Sequence, residues 1–216
     1  MGSVRLYAIS IAEVRGIFGA SDETSTALRA VAADRFGGST PALPGLLGKL
    51  GPVLRRAPDA PVLRPDVPSG SDVDAVLSGR HVPPHRLDAC WTLLEAWIDV
   101  LARDSIGRDC TEAQLNDFDF ALARAEVPAR YSLRSLLRTD LEITLLPAPG
   151  VVAGWASHEQ ALDLADAWRS ALDRLDASTR EVAGTILAWL DRFPGWAADA
   201  RQQDRAAPDL VAVLRA

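Results

Sequence analysis

The sequence predicts a predominantly helical α+β fold in a single domain, residues 1–216: a small sheet of three or four short strands covered by seven or eight helices. Three observations predict it. Runs of strand-forming residues stand at both chain ends, Val4 to Ile9 and Asp209 to Leu214, and read as strands of one sheet. Between them, Ser10-Ile11-Ala12-Glu13, Thr111-Glu112-Ala113-Gln114, Ser157-His158-Glu159-Gln160 and Ser178-Thr179-Arg180-Glu181 have the reciprocal pattern in which an N-cap side chain and a third-position side chain satisfy each other's free backbone N–H. Each opens a segment with helical apolar spacing. No self-similarity recurs at a period of about 20 to 50 residues, which excludes a solenoid.

In chain order, the Ser10 box hands the first strand to a helix that buries Val14, Ile17 and Phe18 and stops at Gly19. Ser21 starts a second helix with Leu28, Val31, Ala32 and Phe36 as core candidates and Gly37-Gly38 as its stop. Seven of the fourteen prolines then fall between residues 41 and 68, so residues 41–69 read as a proline-rich irregular excursion. Inside it, Leu46, Leu47, Leu50, Val53 and Leu54 beside Lys49, Arg55 and Arg56 form a brief amphipathic patch, suited to packing on the domain or to docking on an anionic surface. Ser71 and Asp74 open a short helix closed by Gly79. Pro83-Pro84 start the central helix, whose Leu87, Trp91, Leu94, Ile98 and Leu101 make one apolar stripe through Arg103.

Gly107 reads as a turn, and the Thr111 helix buries Leu115, Phe118 and Leu122 before Pro128 stops it. Ser132 caps a short helix. Leu141 to Leu146 reads as a strand that forms a hairpin with Val151 to Ala156 across Pro147-Ala148-Pro149-Gly150. Ala161, Leu164, Ala165, Trp168, Leu172 and Leu175 mark the longest helix face, and Val182, Ile186, Leu190 and Phe193 the next, interrupted at Pro194-Gly195.

Composition bounds the function. Apolar residues at 48% and charged residues at 24% suit an ordinary folded protein rather than a disordered chain. A net charge of −6 argues against general nucleic-acid binding, because phosphate contacts need a basic face. The basic residues are Arg throughout except Lys49, a bias that reads as the codon habit of a GC-rich bacterium. Cys90 and Cys110 make neither a disulfide framework nor a metal pattern, and no segment has the length and apolarity of a membrane span. Reduced thiols in cytoplasm are expected.

The opening Leu6-Tyr7-Ala8-Ile9 strand, the Trp-bearing middle helix, the late Leu190-Asp191-Arg192-Phe193 to Trp196-Ala197-Ala198 segment and the closing Leu210-Val211-Ala212-Val213-Leu214 strand resemble, in layout, the bacterial YfbM-like proteins of unknown function. The same order is similar to a group of uncharacterised actinobacterial proteins. The proline-rich stretch departs from the YfbM-like pattern, and the resemblance carries no catalytic motif onto any residue here.

Site candidates gather at the start of the central helix. His81 and His85 have the spacing that lets two imidazoles share a metal on one helix face, but Pro83 and Pro84 lie between them and no third ligand is near. No metal and no cofactor are expected. Arg80, His81, His85 and Arg86 instead flank a helix N-terminus able to hold an anion, and Trp155 with His158 could face the same pocket. Asp117 and Asp119 read as solvated, because residues two apart point away from each other on a helix. No nucleophile elbow, phosphate-binding loop or dinucleotide fingerprint occurs. The leading expectation is a protein-binding accessory, regulatory or immunity-type factor, with one or two exposed tryptophans marking the interface. The alternative is a small-molecule-binding protein or enzyme with its pocket at the start of the 83–103 helix.

Overall fold

The computed structural model describes residues 2–37 and 66–216. Residues 41–65 of the expected proline-rich excursion, with the patch from Leu46 to Arg56, lie outside the described residues. The order is β1 (Ser3–Ile9), α1 (Ile11–Gly16), α2 (Asp22–Phe36), α3 (Gly70–Leu77), α4 (Leu87–Leu101), β2 (Ser105–Asp109), α5 (Glu112–Arg124), α6 (Leu133–Leu136), β3 (Val151–Ala156), α7 (His158–Ala171), α8 (Ala177–Leu190), α9 (Phe193–Gln202) and β4 (Asp209–Arg215). The fold is α+β, with one antiparallel sheet that includes both terminal strands.

The strands lie in the order β2-β1-β4-β3. The two ends of the chain are therefore the two central strands, paired from Ser3↔Arg215 to Ile9↔Asp209. Side chains alternate across a strand, so each central strand feeds two cores. Val4, Leu6 and Ala8 with Leu210, Ala212 and Leu214 face the layer built from α5 to α9. Tyr7 and Ile9 with Val211 and Val213 face the layer built from α1 to α4. This explains the unbroken apolar run Leu210 to Leu214: a strand covered on both faces has no solvent side to keep polar.

Three of the four reciprocal caps form as expected, at Ser10, Thr111 and Ser157. The fourth box and the start expected at Ser71 each shift by two residues. Asp176, not Ser178, caps α8, and Ser69 with Asp72, not Ser71 with Asp74, makes the box that opens α3. The expected stripe of α4 is present, yet Ala89, Cys90, Leu93, Ala96 and Trp97 are buried as well, because α2, α3 and the sheet enclose the helix on several sides. Its remaining polar row, Asp88, Thr92, Glu95 and Asp99, meets arginines from the strands.

Two strand expectations need correction. Residues 141–146 are not a strand, and β3 pairs with β4 rather than in a hairpin. Glu142 has φ 54°, incompatible with a ladder. Leu141 and Leu145 still bury their side chains, while side-chain N–H groups take the carbonyls a ladder would have used: Arg15 Nε donates to Leu141 O at 2.9 Å and Trp91 Nε1 to Leu146 O at 2.9 Å. Conversely, the turn expected at Gly107 is the middle of β2, an edge strand held to β1 by backbone pairing.

Gly154 tests how closely α6 lies on the sheet. A Cβ there would stand 2.1 Å from the Leu136 carbonyl oxygen and 2.8 Å from Leu137 Cα, both backbone atoms with little room to yield. Gly154→Ala is expected to cost about 1–3 kcal/mol or more, measured as a lower urea midpoint. Gly184, inside α8, has nothing within 4 Å of such a Cβ, so Gly184→Ala should raise the midpoint by about 0.5–1 kcal/mol.

Candidate functional site

The residues expected to form a pocket at the start of α4 do not act alike. Arg80, His81 and His85 are exposed, with Arg80 Nε on Ser78 Oγ at 2.8 Å. Arg86 is 4% exposed and turned inward. Its Nε and terminal nitrogen donate to Asp72 Oδ1 at 3.1 Å and Oδ2 at 2.5 Å, and the terminal nitrogen also reaches Val67 O at 2.7 Å. Burial alone would raise the Asp72 carboxyl. Hydrogen bonds from the Arg86 and Ser69 side chains and the Ser69 backbone outweigh it and hold the group below its ordinary range. Arg86 thus bolts α4 to the capped start of α3. Beside it, burial pushes the Cys90 thiol up to about 12, which keeps it a protonated core residue at neutral pH.

Trp155 and His158 also have structural partners. The Trp155 indole N–H donates to Asp140 O at 2.9 Å, and the Arg15 guanidinium lies 5.4 Å from the ring centroid. His158 Nδ1 is 3.0 Å from Pro208 O, and its ring stands 6.0 Å from that of Phe193. Its backbone N–H donates to Asp209 Oδ1 at 2.9 Å, while Asp209 Oδ2 accepts from Ile11 N–H at 2.8 Å. One carboxylate at the start of β4 therefore holds the first residues of both α1 and α7. His158 contacts Phe193 in the layer built from α5 to α9, whereas Arg86 belongs to α3 and α4 on the opposite face of the sheet. The six candidates do not converge on one pocket.

Asp119 departs from its expected solvated state. It accepts from Leu133 N–H at 2.9 Å and Arg134 N–H at 3.0 Å, fastening the start of α6 to α5, and burial raises its carboxyl against those bonds. Of the six tryptophans, Trp91, Trp97, Trp168, Trp189 and Trp196 are buried and Trp155 is half-buried, so none is the exposed interface marker expected.

Two depressions flank β2 instead. On one face, α5 and α8 stand apart and leave a cleft of about 690 Å³ over Val4, Leu6 and Ile106, walled by Leu115, Phe118 and Ile186. Phe120, 65% exposed, projects at its lip. Around the rim two guanidinium groups, Arg108 and Arg124, stand against the carboxylates Asp117, Asp176 and Glu181, and Asp109 lies at the strand end between this cleft and the depression on the other face. None of these six makes an ion pair with another described residue.

On the other face lies a polar depression of about 700 Å³ that includes Ser3, Arg5, Arg35 and Asp99. Here Arg5 and Arg35 share Asp99, and the neighbouring Arg215 holds Glu95 at 2.7 Å and Asp88 at 2.8 Å. Burial raises the Glu95 carboxyl while Arg215 opposes the shift. This set ties α2 and α4 to the strand ends. The apolar cleft, with charges that make no ion pair among the described residues and an exposed aromatic ring, is the better candidate for binding. Its one sequence signal was the pair Phe118 and Phe120, since a helix cannot bury two rings two residues apart on one face.

A family model for proteins described as "Domain of unknown function (DUF7691)" matches residues 1–214. The chain belongs to this family. Neither a curated protein nor a solved structure matches it. For this DUF7691 member no helix among the described residues is long and apolar enough to cross a membrane.

The bolt between α3 and α4 has a pH signature. Asp72 has a folded-state pKa below its ordinary 3.8, so its contribution is complete above that value and disappears as pH falls through the folded pKa. Asp72→Asn should cost about 3–5 kcal/mol at pH 7, because it strands a buried guanidinium. In denaturant titrations across pH, the gap from the native protein should narrow below pH 3.8, as protonation removes the same charge from the native form.

Proposed function

We propose that the protein works in the cytoplasm by binding another protein, as an accessory, regulatory or immunity-type factor, through the cleft between β2, α5 and α8. The observation that carries this reading is an apolar floor left open beside an exposed sheet edge, with Phe120 uncovered at its lip and an unmatched acidic rim. Apolar surface of this kind is costly to leave in water and commonly marks a recognition site, and aromatic side chains are favoured anchors there. The rim favours a partner with basic residues around an apolar centre.

A second reading, a small amphipathic ligand in the same cleft, is favoured by its volume, which falls within the usual range of about 300–1,000 Å³ for such sites. The start of α4 is the weaker place for a ligand because Arg86 is already engaged with Asp72.

Phe120→Asp removes the anchor and adds a charge to the rim at an exposed position, so the melting temperature should stay within about 2 °C of native. Affinity capture from native lysate at low salt should yield a partner with the native protein and lose it with the variant. Identical profiles for the two proteins, or no retained partner, would count against the reading.

A further inference from the structure

We infer that the partner contributes an extended segment that pairs with the edge of β2 to which no described strand is joined, apolar at alternate positions and flanked by Lys or Arg. The inference rests on the protein-binding reading and adds its mode and chemistry. β2 ends the sheet: it pairs with β1 on one side and with no strand among the described residues on the other. A strand in this position presents a row of backbone N–H and C=O groups ready to accept another chain. Ser105, Gly107, Arg108 and Asp109 are all exposed.

The register assigns the side chains of an added strand. Leu6↔Ile106 and Val4↔Arg108 place Ile106 and Arg108 over the apolar cleft, while Ser105, Gly107 and Asp109 fall on the other face with Tyr7, Arg5 and Ser3. Each cleft-side residue of the incoming segment would meet Ile106, Phe118 and Phe120. Each residue between would lie over the ion-paired depression of Arg5, Arg35 and Asp99. Apolar and small polar residues must therefore alternate. At the flanks, Asp117, Asp176 and Glu181 favour cationic side chains.

A second copy of this chain is the poorer occupant. Antiparallel pairing of two β2 edges keeps both clefts on the same side, where two acidic rims on chains of net charge −6 would face each other.

The probe is a labelled peptide, acetyl-Lys-Val-Thr-Val-Thr-Val-Lys-amide, titrated with the full chain at low salt and read by fluorescence anisotropy. Saturable binding is expected. It should weaken at least about tenfold when the three valines are made consecutive, and similarly with Phe120→Asp. Amides alternate in direction along a strand, so N-methylation of either the valine set or the threonine set should abolish binding, and the other set should leave it. Insensitivity to both methylation phases, or equal affinity of the block peptide, overturns strand addition.

If these peptides fail while Phe120→Asp still loses a lysate partner, the cleft binds that partner in another mode, and only this inference falls. If neither peptide nor partner binds, both readings fall. A dimer in sedimentation that the peptide dissociates overturns the external partner in favour of a second copy.

Discussion

The structure depends on one pairing, the antiparallel ladder that joins the first strand to the last. From Ser3↔Arg215 to Ile9↔Asp209 the two ends of the chain form the centre of the sheet, and both faces of both strands are covered. Side chains alternate along these strands, so each residue enters one core or the other. A fully buried Ile, Leu or Val contributes roughly 1.5–3 kcal/mol from area removed from water, and the two strands supply such residues to both layers. The helices before the edge strand β2 cover one face and those after it cover the other, so neither layer is complete until the last strand docks.

Polar groups set registration within that frame. Asp209 is the clearest case, with its two carboxylate oxygens on the first N–H groups of α1 and α7 at 2.8 and 2.9 Å. A helix N-terminus has unsatisfied donors and a positive dipole end, so one charge on the central strand anchors a helix in each layer. The polar row of α4 does related work, with Arg5 and Arg35 on Asp99 and Arg215 across Glu95, Thr92 and Asp88. The more exposed of these pairs, such as Arg215 with Asp88, contribute only about 0–1 kcal/mol each, whereas Glu95 is part-buried. The Asp72–Arg86 pair differs because it is dry: removing one partner costs far more than the pair contributes net.

Against this matched interior, the cleft beside β2 stands out. Elsewhere beside the sheet, Arg5, Arg35 and Arg215 already have carboxylates. Between α5 and α8 the sheet is left partly open, Phe120 projects beside it, and the rim charges make no ion pair with another described residue, although Asp176 caps α8 through Ser178 and Thr179. Packing of the described residues places apolar surface there without covering it. The neighbouring edge strand, paired on one side only among the described residues, makes the two features one surface rather than two separate gaps in the fold.

The general architecture was readable without coordinates because it depends on local rules. The caps at Ser10, Thr111 and Ser157 need only a hydroxyl and a side chain three residues on, and the stripe of α4 needs only a period of 3.6. The apolar runs at the two termini announced buried strands. What escaped had no local pattern. Residues 105–109 form a strand because β1 offers a ladder, although only Ile106 is apolar. Residues 141–146 look like a strand yet are not one, since distant Arg15 and Trp91 take their carbonyls and Glu142 turns the chain. Arg86 looked like a ligand arm until Asp72 was brought to it, and Asp209 became a double cap only when two helices converged on β4. Periodicity and capping are written into neighbouring residues. The occupant of a charge or the cover of an edge depends on groups far apart in the chain, and the packed structure alone brings those together.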